Sequence, residues 1–72
     1  MPSTFNKLDF ETAIRDIQTG HYVSPTIRKC AADYARRIES DAWGQWRDGE
    51  IKLSRRMDVS DRVARWLQLC QS

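Results

Sequence analysis

The chain is poor in the residues that build covalent cross-links or chemistry. It has two cysteines, Cys30 and Cys70, a single histidine, His21, three glycines and two prolines in 72 residues. Small secreted folds that depend on disulfides carry four or more cysteines, so this pair reads as reduced thiols in an intracellular, cytoplasmic protein. The opening Met1-Pro-Ser-Thr-Phe-Asn-Lys has no signal-peptide core. No stretch approaches the ~20 apolar residues that cross a bilayer, so no membrane partner is expected. Zinc needs His, Cys or carboxylate ligands at set spacings. His21, Cys30 and Cys70 stand apart, and both thiols fall on apolar helical faces, where they pack as small hydrophobes. Gly20, Gly44 and Gly49 form no phosphate-cradling loop. Asp58 and Asp61 are read as helix-start charges favoured by the macrodipole. The reading is of a non-enzymatic chain with no catalytic residues, no cofactor and no metal.

What is present fits one small domain, expected over residues 1–72 with 1–8 as a loose lead-in. A chain of this length supplies no more than roughly 3–5 kcal/mol from one core, and hollowing that core for a substrate would be costly. Function is therefore expected on the outer surface. Twelve Lys and Arg against ten Asp and Glu leave a net charge of +2. The imbalance lies in residues 25–72, at +3, against −1 for residues 1–24. A dedicated nucleic-acid binder shows a denser basic stripe, so only weak DNA or RNA contact is expected.

Apolar periodicity predicts an all-α fold: a bundle of three main helices with short extra turns. Phe10, Ala13, Ile14 and Ile17 mark a helix over 9–19 with Asp9 as N-cap and Gly20 beyond its end. Ser24-Pro25 starts a second, over 25–39 and extensible to Trp43, with Ile27, Ala31, Tyr34, Ala35 and Ile38 on one face. Ser40-Asp41 is the alternative cap of a separate short helix carrying Trp43 and Trp46, and Gly49 marks a turn. Residues 50–57 are ambiguous between strand and helix, and a short helix is favoured. Val59, Val63, Trp66, Leu67 and Cys70 then form a continuous face of the last helix.

Residues 51–67, Ile-Lys-Leu-Ser-Arg-Arg-Met-Asp-Val-Ser-Asp-Arg-Val-Ala-Arg-Trp-Leu, resemble the helix-turn-helix family of DNA-binding regulators. Leu53-Ser54 would open its first helix, Met57 would close it, and Asp58-Val59-Ser60 would make the turn. The resemblance implies a recognition helix in the major groove, with Arg55, Arg56, Ser60, Arg62 and Arg65 toward the nucleic acid. Asp58 stands where the family has Gly, Ala64 takes an apolar position that Val63 reaches one place early, and Asp61 puts an anion where phosphate would approach.

The aromatic content points elsewhere. Trp66 lies on the last helix's apolar face, and the core is expected to absorb one of Trp43 and Trp46 as well, but burying all three together with Phe5, Phe10, Tyr22 and Tyr34 is harder. Exposed Trp and Tyr beside Arg make interface hot spots. One candidate patch is Trp43, Trp46 and Arg47, with Arg36 and Arg37; a second is Phe5 with His21 and Tyr22. In size and mixed charge the chain resembles, at class level only, the small host-takeover proteins of bacteriophages, which bind RNA polymerase and similar machines. The resemblance implies a monomeric transcription regulator that docks on a large assembly such as bacterial RNA polymerase. The alternatives are a helix-turn-helix DNA binder and an antitoxin-like or structural module that dimerises through the last helix.

Overall fold

Local capping chemistry sets most of the helix ends. The computed structural model describes residues 5–71 and contains three helices: α1, Lys7–Gln18; α2, Pro25–Arg47; and α3, Leu53–Gln71. Asn6, not Asp9, caps α1: its Oδ1 accepts from the Asp9 N–H at 2.9 Å. The Asp9 carboxylate accepts from the Asn6 N–H at 3.3 Å. Asp9 thus occupies the third helical position of a reciprocal capping box. The helix starts inside the expected lead-in; of that lead-in, residues 1–4 lie outside the described residues.

α1 and α2 end alike. Gly20 and Gly49 take φ of +83° and +81°, a left-handed conformation that glycine adopts without Cβ penalty. The residue after each glycine donates its N–H back into the helix, His21 to the Asp16 carbonyl and Glu50 to the Gln45 carbonyl, both at 2.8 Å. These are Schellman closures. Ser24 caps α2 by accepting from the Ile27 N–H at 3.2 Å, with Pro25 in the first helical position.

Two expectations are corrected. No separate helix starts at Ser40-Asp41: α2 runs unbroken for 23 residues, through Gly44, to Arg47. Nor do residues 51–67 form a helix, a turn and a helix. Asp58, Val59 and Ser60 are interior residues of the 19-residue α3. The physical reason is the Val59–Val63–Cys70 face. It is buried as one continuous line, which a turn at 58–60 would break.

α2 and α3 form an antiparallel hairpin whose seam is built from small side chains. Ala31, Ala35 and Ala42 of α2 are buried against Val59, Val63 and Cys70 of α3. α1 lies across one side of this hairpin. It inserts Phe10, Ala13 and Ile14, with the Phe10 ring stacked on Tyr34 at 4.8 Å and edge-on to Trp66 at 5.0 Å. The molecule measures 39 × 28 × 17 Å. With helix axes 8–10 Å apart, the shortest dimension holds two helical layers and no third.

Candidate docking surface

The end of α2 and the start of α3 carry the main surface feature. Trp43 and Trp46 lie one turn apart on α2 and remain 47% and 38% exposed, with ring centroids 6.4 Å apart and planes at 76°. Gly49 and the short connection turn the chain back, and the first turn of α3 places Arg56 over both rings. Its guanidinium carbon sits 4.0 Å from the Trp43 centroid and 4.4 Å from that of Trp46, within reach of a cation–π interaction. The Trp43 indole N–H donates to the Ser60 hydroxyl at 3.4 Å, one turn further along α3. Arg56 Nε is buried without a hydrogen-bond partner among the described residues. Leu53 and Met57, 48% and 54% exposed, fall at the spacings that put them on the same α3 flank as Arg56 and Ser60.

The structure brings the first predicted patch together only in part. Arg47 is exposed in the last turn of α2. Arg36 borders Trp43 across a shallow hollow that Glu39 and Ser40 also line, and it makes an exposed ion pair with Asp33 at 3.3 Å. Arg37 lies instead with Phe5 and Tyr34, on the side that α1 covers, because it follows Arg36 by 100° around the helix. The patch is completed by two residues that the sequence had assigned to DNA, Arg56 and Ser60. No local signal reveals this, since the contacts span 10 to 17 positions and depend on how the hairpin closes.

The second predicted patch separates. Phe5 and Tyr22 line one groove of about 540 Å³, with Asp9, Asp16 and Ile27. Phe5 packs edge-on to Tyr34 at 6.1 Å, while Tyr22 is 84% exposed. His21 does not line this groove: its Nδ1 lies 2.7 Å from the Thr19 hydroxyl, at the end of α1.

The five residues expected to face nucleic acid do not share a surface. Arg56 and Ser60 turn toward the tryptophans. Arg55, Arg62 and Arg65 are exposed on the other flank of α3, where steps of three and four residues thread Asp58 between them. An acid in the middle of three arginines weakens the attraction to phosphate that dominates DNA affinity. Leu53 and Met57, which a helix-turn-helix would bury, stay exposed. At the far end of the hairpin, burial holds the Cys70 thiol above its ordinary pKa, and the charges of Arg28 and Arg36 partly offset it. Cys30 is half-buried, and both thiols are free.

No group of three or more metal-ligating side chains exists among the described residues, and no helix among them is long and apolar enough to cross a membrane. Comparison with protein-family models, with curated proteins and with solved structures gives no match.

Proposed function

We propose that this chain is a non-enzymatic regulator that docks on a protein component of a nucleic-acid machine, through the surface formed by Trp43, Trp46 and Arg56. The half-exposed tryptophan pair held under Arg56 carries this reading. Trp and Arg are the residue types that dominate binding hot spots, where a few large side chains are desolvated together. Contact with α3 restrains both indoles and the guanidinium before any partner arrives. Less side-chain entropy is then lost on association.

The class-level resemblance to phage takeover proteins directs the first test to bacterial RNA polymerase. Purified core enzyme is immobilised and titrated with the chain and with its Trp43→Ala/Trp46→Ala variant. Hot-spot truncation costs at least about 2 kcal/mol, roughly 30-fold in Kd, so the variant should bind at least that much more weakly. No binding by the parent removes polymerase as the target, and equal binding by both proteins removes the tryptophan pair as the docking surface. A duplex DNA arm covers the alternative. DNA affinity that falls steeply with salt and is lost in Arg62→Ala/Arg65→Ala would replace this reading.

A further inference from the structure

α1 covers only one side of the α2–α3 hairpin. Its contacts run to Tyr34 on α2 and to Trp66 on α3. Among the described residues, nothing covers the opposite side, which is a bare seam. It begins at a hollow of about 300 Å³ bordered by Arg28, Lys29, Ala32, Arg36 and Cys70. It continues through the hollow that Arg36 shares with Glu39 and Trp43, and it ends where Trp43 meets Ser60 and Arg56. From Pro25 to Trp43 it follows α2 for 19 residues, a rise of about 27 Å at 1.5 Å per residue.

Two properties of this seam define its occupant. Its apolar surface is Ala32 and Cys70 at one end and Trp43 at the other, where the spacing of α3 sets the exposed Leu53 and Met57 on the same flank as Arg56. Its rim is cationic: among the described residues that line it, Lys29, Arg36 and Arg56 stand against one carboxylate, Glu39, with Asp33 reaching Arg36 from the outer face of α2. A second copy of the chain set symmetrically on this face would bring the same arginines together, which like-charge repulsion opposes. A helix with an apolar stripe and acidic flanks meets both properties, because a third helix completes the packing of an antiparallel pair.

The geometry points to the bare α2–α3 seam as the docking groove for an acidic amphipathic helix of the partner protein. This rests on the reading that the chain acts by docking, and it names the chemistry of what is docked. The tryptophan–arginine cluster forms one end of the groove and anchors that end of the helix.

The test is a titration of the ¹⁵N-labelled chain, followed by amide chemical shifts, with three synthetic 18-residue peptides. One has a leucine stripe flanked by glutamates, one has lysines in place of the glutamates, and one is the acidic composition shuffled so that no stripe forms. The acidic amphipathic peptide should bind at least tenfold more tightly than either control. It should shift amides near Ala32, Trp43 and Met57, and weaken at least tenfold in Lys29→Glu/Arg36→Glu. Arg62→Glu, on the other flank of α3, should leave it unchanged. No binding of the acidic peptide, equal binding of all three, shifts confined to the α1 side, indifference to Lys29→Glu/Arg36→Glu, or a symmetric dimer through this face in sedimentation would each overturn the assignment. The polymerase experiment fails separately. Polymerase binding that needs Trp43 and Trp46 but is not displaced by the acidic peptide removes the groove and keeps docking. Peptide binding without polymerase binding keeps the groove and removes the target.

Discussion

Arg56 is where stability and function separate. Its guanidinium contacts with Trp43 and Trp46 are worth about 0.5–1 kcal/mol each at partly exposed rings. Its buried, unpartnered Nε costs about 1–3 kcal/mol. The two nearly cancel, so this residue contributes little to folding, and its position over the tryptophans fits the docking role proposed for the cluster. Arg56→Met keeps an unbranched side chain of good helix propensity and removes both the cation and the orphan nitrogen. Its urea midpoint should correspond to a stability within about 1 kcal/mol of the parent, while the tryptophan emission changes because the charge over both rings is gone. A loss beyond about 2 kcal/mol would show that Arg56 is a structural residue and would weaken the docking reading. None of this was legible in the sequence. A spacing of three residues pairs Trp43 with Trp46, but nothing local joins either to a residue ten or more positions away.

Among the helices, the ends with their own chemistry were legible and the ends set by tertiary packing were not. Ser24-Pro25, Gly20 and Gly49 act within one turn, so their roles follow from residue type. Asn6 and Asp9 are not separable by residue type, because either is a good N-cap and both belong to one capping box. The breaks expected at Ser40-Asp41 and at Asp58-Val59-Ser60 rested on real local preferences. They lose to burial: Ala42 and Val59 each continue a line of core residues across the supposed break. Gly44 tests this account. It lies inside α2, and a methyl group added to it would meet nothing within 4 Å. Gly44→Ala should therefore stabilise the protein by about 0.5–1 kcal/mol, the usual penalty of glycine inside a helix. Gly49→Ala forces a Cβ onto a φ of +81° and should destabilise by about 1–2 kcal/mol. Paired urea titrations with opposite shifts are the expected result. A destabilising Gly44→Ala would mean that α2 does not run straight through this position.

At the scale of the whole molecule, the same thin construction that exposes a docking face leaves little stability in reserve. The radius of gyration is 13.1 Å, against about 11 Å for a globular chain of this length. Among the described residues, Val63 is the largest side chain to be fully buried. The α2–α3 seam is made largely of alanine and valine, which remove little apolar surface from water per residue. The hairpin therefore depends on α1 to close its core, and Phe10 is the link. It is 4% exposed and contacts Tyr34 on one helix and Trp66 on the other. Truncating a buried phenylalanine costs about 3–5 kcal/mol, which is as much as a single core of this size supplies in total. Phe10→Ala should thus lose helicity in all three helices together, seen as a collapse of the far-ultraviolet dichroism at 25 °C and not as loss of the 12 residues of α1 alone. If some three-quarters of the signal survived, the hairpin would be a folding unit in its own right. The docking groove would then be independent of α1, and α1 would be free to serve a second partner through the groove that Tyr22 overhangs.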